Sequence, residues 1–110
     1  MHAFAVLADP VRRSIVQELM GQERSSGELV ETVGVEFDIS QSAVSQQLKV
    51  LRENGFANVA IDGNRRIYSL DSTGFEQMEA WLAPFRQYWA PKFEALANEV
   101  AKGKRSKKKR

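Results

Sequence analysis

Residues 40–54 read SQSAVSQQLKVLREN, and two helical stripes run through them. Val44, Leu48 and Leu51 fall at i, i+4 and i+7 and make one apolar face, while Ser42, Ser45, Gln46 and Lys49 fall at i, i+3, i+4 and i+7 and make a polar one. Ser40 supplies an N-cap and Asn54-Gly55 a left-handed ending, so the spacing predicts a helix between them. An ordinary solvent-facing helix displays Glu and Lys, yet the first two polar turns here are nearly uncharged. Ser and Gln side chains can donate to and accept from base edges, and they occupy the N-terminal end, the part of a recognition helix that enters the major groove. Lys49 and Arg52 come later, where phosphates can be met. The competing reading is a helical hairpin in a bundle with a Ser/Gln-rich surface.

The flanks narrow the choice. Upstream, Asp9-Pro10 starts a helix over about 10–20 carrying Val11, Ile15 and Leu19 and ending at Gly21, with AFAVLA (3–8) a short helix before it. Ser25 and Glu28 form a capping box for a short helix with Leu29, Val30 and Val33 that stops at Gly34, and VEFDI (35–39) is a connection anchored by Phe37 and Ile39. Downstream, FANVAI and RRIYSL flank Asp62-Gly63-Asn64 and predict a β-hairpin. A ribbon tipped by Arg65 and Arg66 directly after a polar-faced helix is the arrangement of a winged helix-turn-helix, with arginines that reach a phosphate backbone or minor groove. Charged residues also guard strand edges, so the arginines alone do not decide.

After Asp71-Ser72, Phe75, Met78, Leu82, Phe85, Trp89, Phe93, Leu96 and Val100 recur at spacings of three and four, interrupted by Pro84 and Pro91, which should kink or restart the helix. A winged helix of about 65 residues cannot cover such a row by itself. Together with Ala3 to Leu7 the row predicts a two-fold interface between copies of the chain, formed by Phe4, Leu7, Phe75, Met78, Leu82, Phe85, Trp89, Phe93 and Leu96. Alternatively, Trp81, Tyr88 and Trp89 line a pocket for an apolar effector.

The segments LADPVRRSIVQEL, SSGELVETV, SQSAVSQQLKVLRENGF and DGNRRIYSL, in this order and spacing, resemble the ArsR/SmtB-type winged-helix repressors over roughly residues 3–71. WLAPFRQYW resembles a subgroup of small autoregulatory or metal-independent members. The resemblance implies a mainly α fold with a small β-hairpin, in the order α-α-α-α-β-β-α, and a homodimeric repressor of double-stranded DNA that leaves its operator when a small-molecule or protein signal arrives. It also implies base-reading positions at Gln41, Ser42, Ser45 and Gln46 and a wing tip at Asn64, Arg65 and Arg66. Two departures stand out. GVEFDIS is longer than the usual turn before the recognition helix, and the metal-sensor ligands are missing, since the chain has no Cys and His2 is its one His. No metal or other cofactor is expected.

With 110 residues the chain has room for one core, expected over 1–101, and no apolar run approaches the ~18 residues of a membrane span. The start MHAFAVLADP lacks a basic segment followed by a long apolar one, so a cytoplasmic protein is expected. The net charge of +2 conceals a division: KGKRSKKKR (102–110) holds seven of the sixteen Lys and Arg, leaving nine basic against fourteen acidic side chains in 1–101, a balance of −5. A run with no apolar residue to bury predicts a disordered basic tail, with RNA or an anionic membrane as weaker readings. With no Gly-rich phosphate loop and no nucleophile system, an enzyme is not expected. The reading is a sequence-specific DNA-binding regulator. Its rival from another class is a winged-helix interaction module or antagonist that has lost specific DNA binding.

Overall fold

A computed structural model describes the backbone of residues 1–108 and the side chains of residues 1–103. The elements follow one another as α1 (Ala3–Leu7), α2 (Pro10–Leu19), β1 (Arg24–Ser25), α3 (Ser26–Leu29), a π-helical turn (Val30–Gly34), α4 (Val35–Phe37), α5 (Gln41–Glu53), β2 (Ala57–Asp62), β3 (Arg65–Leu70) and α6 (Thr73–Lys108). This is a mainly α fold with an antiparallel hairpin, as the spacing predicted. Contacts divide the chain into two units, Met1–Met78 and Glu79–Arg110.

Local chemistry accounts for most boundaries in the first unit. The Asp9 carboxylate accepts from the N–H groups of Val11 (2.8 Å) and Arg12 (3.2 Å), and Pro10 starts α2 where no N–H is needed. Ser25 Oγ accepts from the Glu28 N–H (3.2 Å) while Glu28 Oε1 accepts from the Ser25 N–H (3.0 Å), a complete capping box. Ser40 Oγ accepts from the Ala43 N–H (3.1 Å) and opens α5. At the other end of α5, Gly55 is left-handed (φ 79), and the N–H groups of Gly55 and Phe56 return to the carbonyls of Arg52 and Leu51. Phe56 and Leu51 are both fully buried, supplying the apolar contact that such an ending favours.

Four boundaries differ from the sequence reading. The helix after Ser25 does not stop at Gly34: it widens into the π turn and continues to Phe37, where Asp38 closes it in the left-handed region (φ 51). The expected loop at 35–39 is therefore largely helical, and the wider turn absorbs the added length before α5. Arg24–Ser25 pairs with β3 through Arg24↔Tyr68 and Ser25↔Ile67, giving a three-stranded sheet in the order β1-β3-β2. Two residues carry no period-2 signal, so no pattern announced this strand. α6 is one helix through Pro84 and Pro91, so it does not restart at either proline. It also continues to Lys108, so the segment expected to be disordered from 102 prolongs the helix, as cations near a helix C-terminus favour. The end of that segment, 109 and 110, lies outside the described residues.

The core gathers Ala3 and Val6 of α1, Ile15 and Leu19 of α2, Leu29 and Val33, the stripe Val44, Leu48 and Leu51 of α5, and Phe56, Ala57 and Tyr68. Leu7, Phe75 and Met78, expected at an interface between copies, are partly buried against this core. In the second unit Trp81, Phe85, Tyr88, Trp89, Phe93, Leu96 and Val100 are exposed, with Trp81 stacked on Phe85 and Trp89 tilted over Phe93.

The start of α6 is fitted closely to the end of α5. The Gly74 N–H donates to the Gly55 carbonyl (2.7 Å), and a Cβ at Gly74 would lie 2.6 Å from the Phe56 ring. Gly74→Ala should therefore destabilise the protein, because forced overpacking of about 1–3 kcal/mol exceeds the roughly 1 kcal/mol by which alanine favours a helix. Gly27→Ala, whose Cβ would meet nothing nearer than 3.9 Å, should be neutral or stabilising; urea denaturation of both variants checks the pair.

Glu28 adds a pH dependence. Its hydrogen bonds from the Ser25 N–H and hydroxyl hold the carboxyl below its ordinary 4.5, helped by Arg24 and Arg65. A depressed folded-state value gives stabilisation that is complete above the unfolded-state value and lost as pH falls through the folded one. Chemical denaturation across pH 2–7 should show the difference between wild type and Glu28→Gln shrinking as pH falls below 4.5, the glutamine keeping the acceptor for Ser25 without the titration.

Candidate nucleic-acid interface

With Val44, Leu48 and Leu51 buried, the opposite face of α5 is turned outward, and Gln41, Ser42, Ser45, Gln46, Lys49 and Arg52 are all exposed. Among the described residues no side chain engages Gln41, Ser42, Ser45 or Gln46, so their donors and acceptors face solvent. Side chains alternate along β3 and the turn before it, which places Asn64, Arg66 and Tyr68 on one face at every second position. That face and the α5 face border a common open cleft of about 760 Å³, floored by Ser26 and Val30.

The cleft brings together seven of the eight residues singled out from the sequence for DNA contact: Gln41, Ser42, Ser45, Gln46, Lys49, Asn64 and Arg66. Arg65 is placed elsewhere, its guanidinium 3.7 Å from Glu28 Oε1 on α3. One residue of register separates the two arginines, and a strand's period of two sends them to opposite faces. Tyr68 also lines the cleft and was missed, although it shares the parity of Asn64 and Arg66. Ser26 and Val30 carried no sequence signal, since only packing of the capping-box helix beside α5 brings them there.

The electrostatics of this surface run against those of the chain around it. No lining residue is acidic, and Lys49, Arg52 and Arg66 supply cations, Lys49 within 4.0 Å of Glu53 outside the lining. Gly34 lies beside α5: a Cβ there would be in ordinary van der Waals contact with the Ile39 carbonyl (3.4 Å) and Val44 Cγ2 (3.6 Å). Among the described residues no group of three or more His, Cys, Asp or Glu could hold a metal ion, and His2 instead caps α1 by accepting from the Phe4 N–H (3.2 Å). No helix of the described residues is long and apolar enough to cross a membrane.

Comparison with known proteins fits this geometry. A family model described as a helix-turn-helix domain matches residues 7–60. The chain is 37% identical over 83 residues to the HTH-type transcriptional regulator Rv2034 of Mycobacterium tuberculosis, covering 76% of this chain and 74% of the relative. It is 27% identical over 84 residues to the transcriptional repressor SdpR of Bacillus subtilis, covering 76% and 89%. Among solved structures, the ArsR family transcriptional regulator RHA00566 superposes with a TM-score of 0.69 at 26% identity over 80% of this chain and 87% of that one. An exposed Ser/Gln helix face, a wing beside it and these similarities converge: the chain belongs to the ArsR/SmtB-type winged helix-turn-helix family and is a DNA-binding transcriptional regulator.

Proposed function

We propose that the protein is a homodimeric repressor that reads an imperfect inverted repeat with the N-terminal half of α5. The observation that carries this is the acid-free cleft, which gathers four uncommitted Ser and Gln side chains with Asn64 and three cations on a unit otherwise rich in carboxylates. Gln46, Ser42 and Ser45 are the base-reading groups in this reading, with Gln41 beside them at the helix start. Arg66, Arg52 and Lys49 meet phosphates, and Asn64 carries the wing toward the backbone. SdpR, a relative named as a repressor, supports repression as the output. The cations of 102–110 would add affinity through counterion release without reading bases.

The dimer rests on the exposed row Phe85, Trp89, Phe93 and Leu96 of the second unit, with Leu82 half-buried beside it. Such a row on a soluble chain favours a covering surface, and a two-fold partner supplies the same row. Phe4 on α1 is half-exposed. Two copies of α5 would then address half-sites about 34–36 Å apart.

Selection of bound fragments from a random DNA pool should return a palindrome with that spacing, and a pool without enrichment would refute base-specific reading. On the selected site Gln46→Ala should cost on the order of 1–3 kcal/mol and relax preference at one position per half-site. Arg66→Ala should weaken selected and random DNA alike, and Arg65→Ala, already turned toward Glu28, should do so less.

Sedimentation at micromolar concentration should give twice the chain mass of 12.4 kDa, and Leu82→Glu combined with Phe93→Glu should reduce it to one. A folded wild-type monomer under those conditions would remove the two-fold operator.

A further inference from the structure

We propose that Arg12 is a positioning residue for base reading, acting through Gln47 to set the roll of α5. The Arg12 side chain is 14% exposed and is held at several points. Its Nε donates to the Val6 carbonyl (2.6 Å), Nη2 to the Ala5 carbonyl (3.4 Å) and Nη1 to Gln47 Oε1 on α5 (2.9 Å), with Asp9 Oδ2 3.8 Å away. The first two acceptors are carbonyls toward the C-terminal end of α1, where helical partners run out; Ala5 also accepts from the Ala8 N–H (3.3 Å). One rigid, always-charged guanidinium thus ties the end of α1 to the middle of α5.

The reason α5 needs such a tie lies in how the rest of it is held. Val44, Leu48 and Leu51 attach it by apolar contact, which is strong but has little directional preference. Side-chain tips stand about 5–6 Å from a helix axis, so a roll of about 10° moves them by about 1 Å. Base-edge hydrogen bonds work over a heavy-atom window of about 0.5 Å, and a roll of that size loses them. Gln47 follows Gln46 directly in the chain, so anchoring one sets the direction of the other. α1 is fixed in turn at its other end, where the Ala3 N–H donates to Gln77 Oε1 (3.0 Å) in the first turns of α6.

This inference rests on the operator-reading proposal, and the experiment separates the two. Gln47→Met keeps size and helix preference but removes the acceptor, leaving Arg12 its α1 carbonyls; Gln47→Glu restores an acceptor. The ratio of affinities for the selected palindrome and for random DNA should fall on the order of tenfold in Gln47→Met, the loss of one charge-assisted hydrogen bond. It should recover in Gln47→Glu even though the added charge lowers both affinities. Arg12→Met placed on Gln47→Met should not lower the ratio further. A merely structural role would change melting temperature and leave the ratio alone, and an unchanged ratio in Gln47→Met overturns the proposal. Should wild type prefer no sequence, the operator reading falls instead, and amide hydrogen exchange of the DNA-free protein still decides positioning. Protection across α5 should drop in Gln47→Met and return in Gln47→Glu, and equal protection in all three proteins overturns it.

Discussion

The fold depends on burial of one side of α5. Val44, Leu48 and Leu51 have essentially no exposure, and removing three such side chains from water contributes about 1.5–3 kcal/mol each. Because the stripe is one face of a helix, burying it obliges the opposite face to look outward, and the Ser/Gln row is on that face. The neighbouring segment is shaped to allow this approach. Gly34 lies against Val44 Cγ2, and the π turn from Val30 to Gly34 keeps the chain helical past it while spending the extra length before Ser40. The outward Ser/Gln surface is thus a consequence of core packing and needs no separate scaffold.

Charge is distributed on the same principle. Two carboxylates near the cleft are occupied: Glu28 by its capping box and by Arg24 and Arg65, Glu53 by Lys49. A DNA-binding surface on a region with a balance of −5 is feasible because electrostatic attraction to phosphate is local within about a Debye length. The pairing with Glu28 also explains why the two wing arginines are not equivalent. These are exposed ion pairs of small individual worth, and their effect is on where side chains point rather than on stability.

The amino-acid sequence by itself determined the elements whose signals are local. Caps at Asp9, Ser25 and Ser40, the left-handed Gly55, the Asp62-Gly63-Asn64 turn and the two stripes of α5 were legible, since each rests on hydrogen bonds or periodicity within a few residues. Seven of the eight candidate DNA contacts follow from those stripes and from the wing. What only the tertiary structure decided is everything that depends on which elements become neighbours. Strand β1 exists because β3 is there to pair with it, and Arg65, sent to the other face by the strand's period of two, meets Glu28 there only once α3 and β3 are neighbours. Helix continues through Gly34, where the local signal was a stop, and Arg12 reaches Gln47 across 35 positions of chain. Such pairings are set by burial summed over the whole core, a quantity no short window of sequence contains.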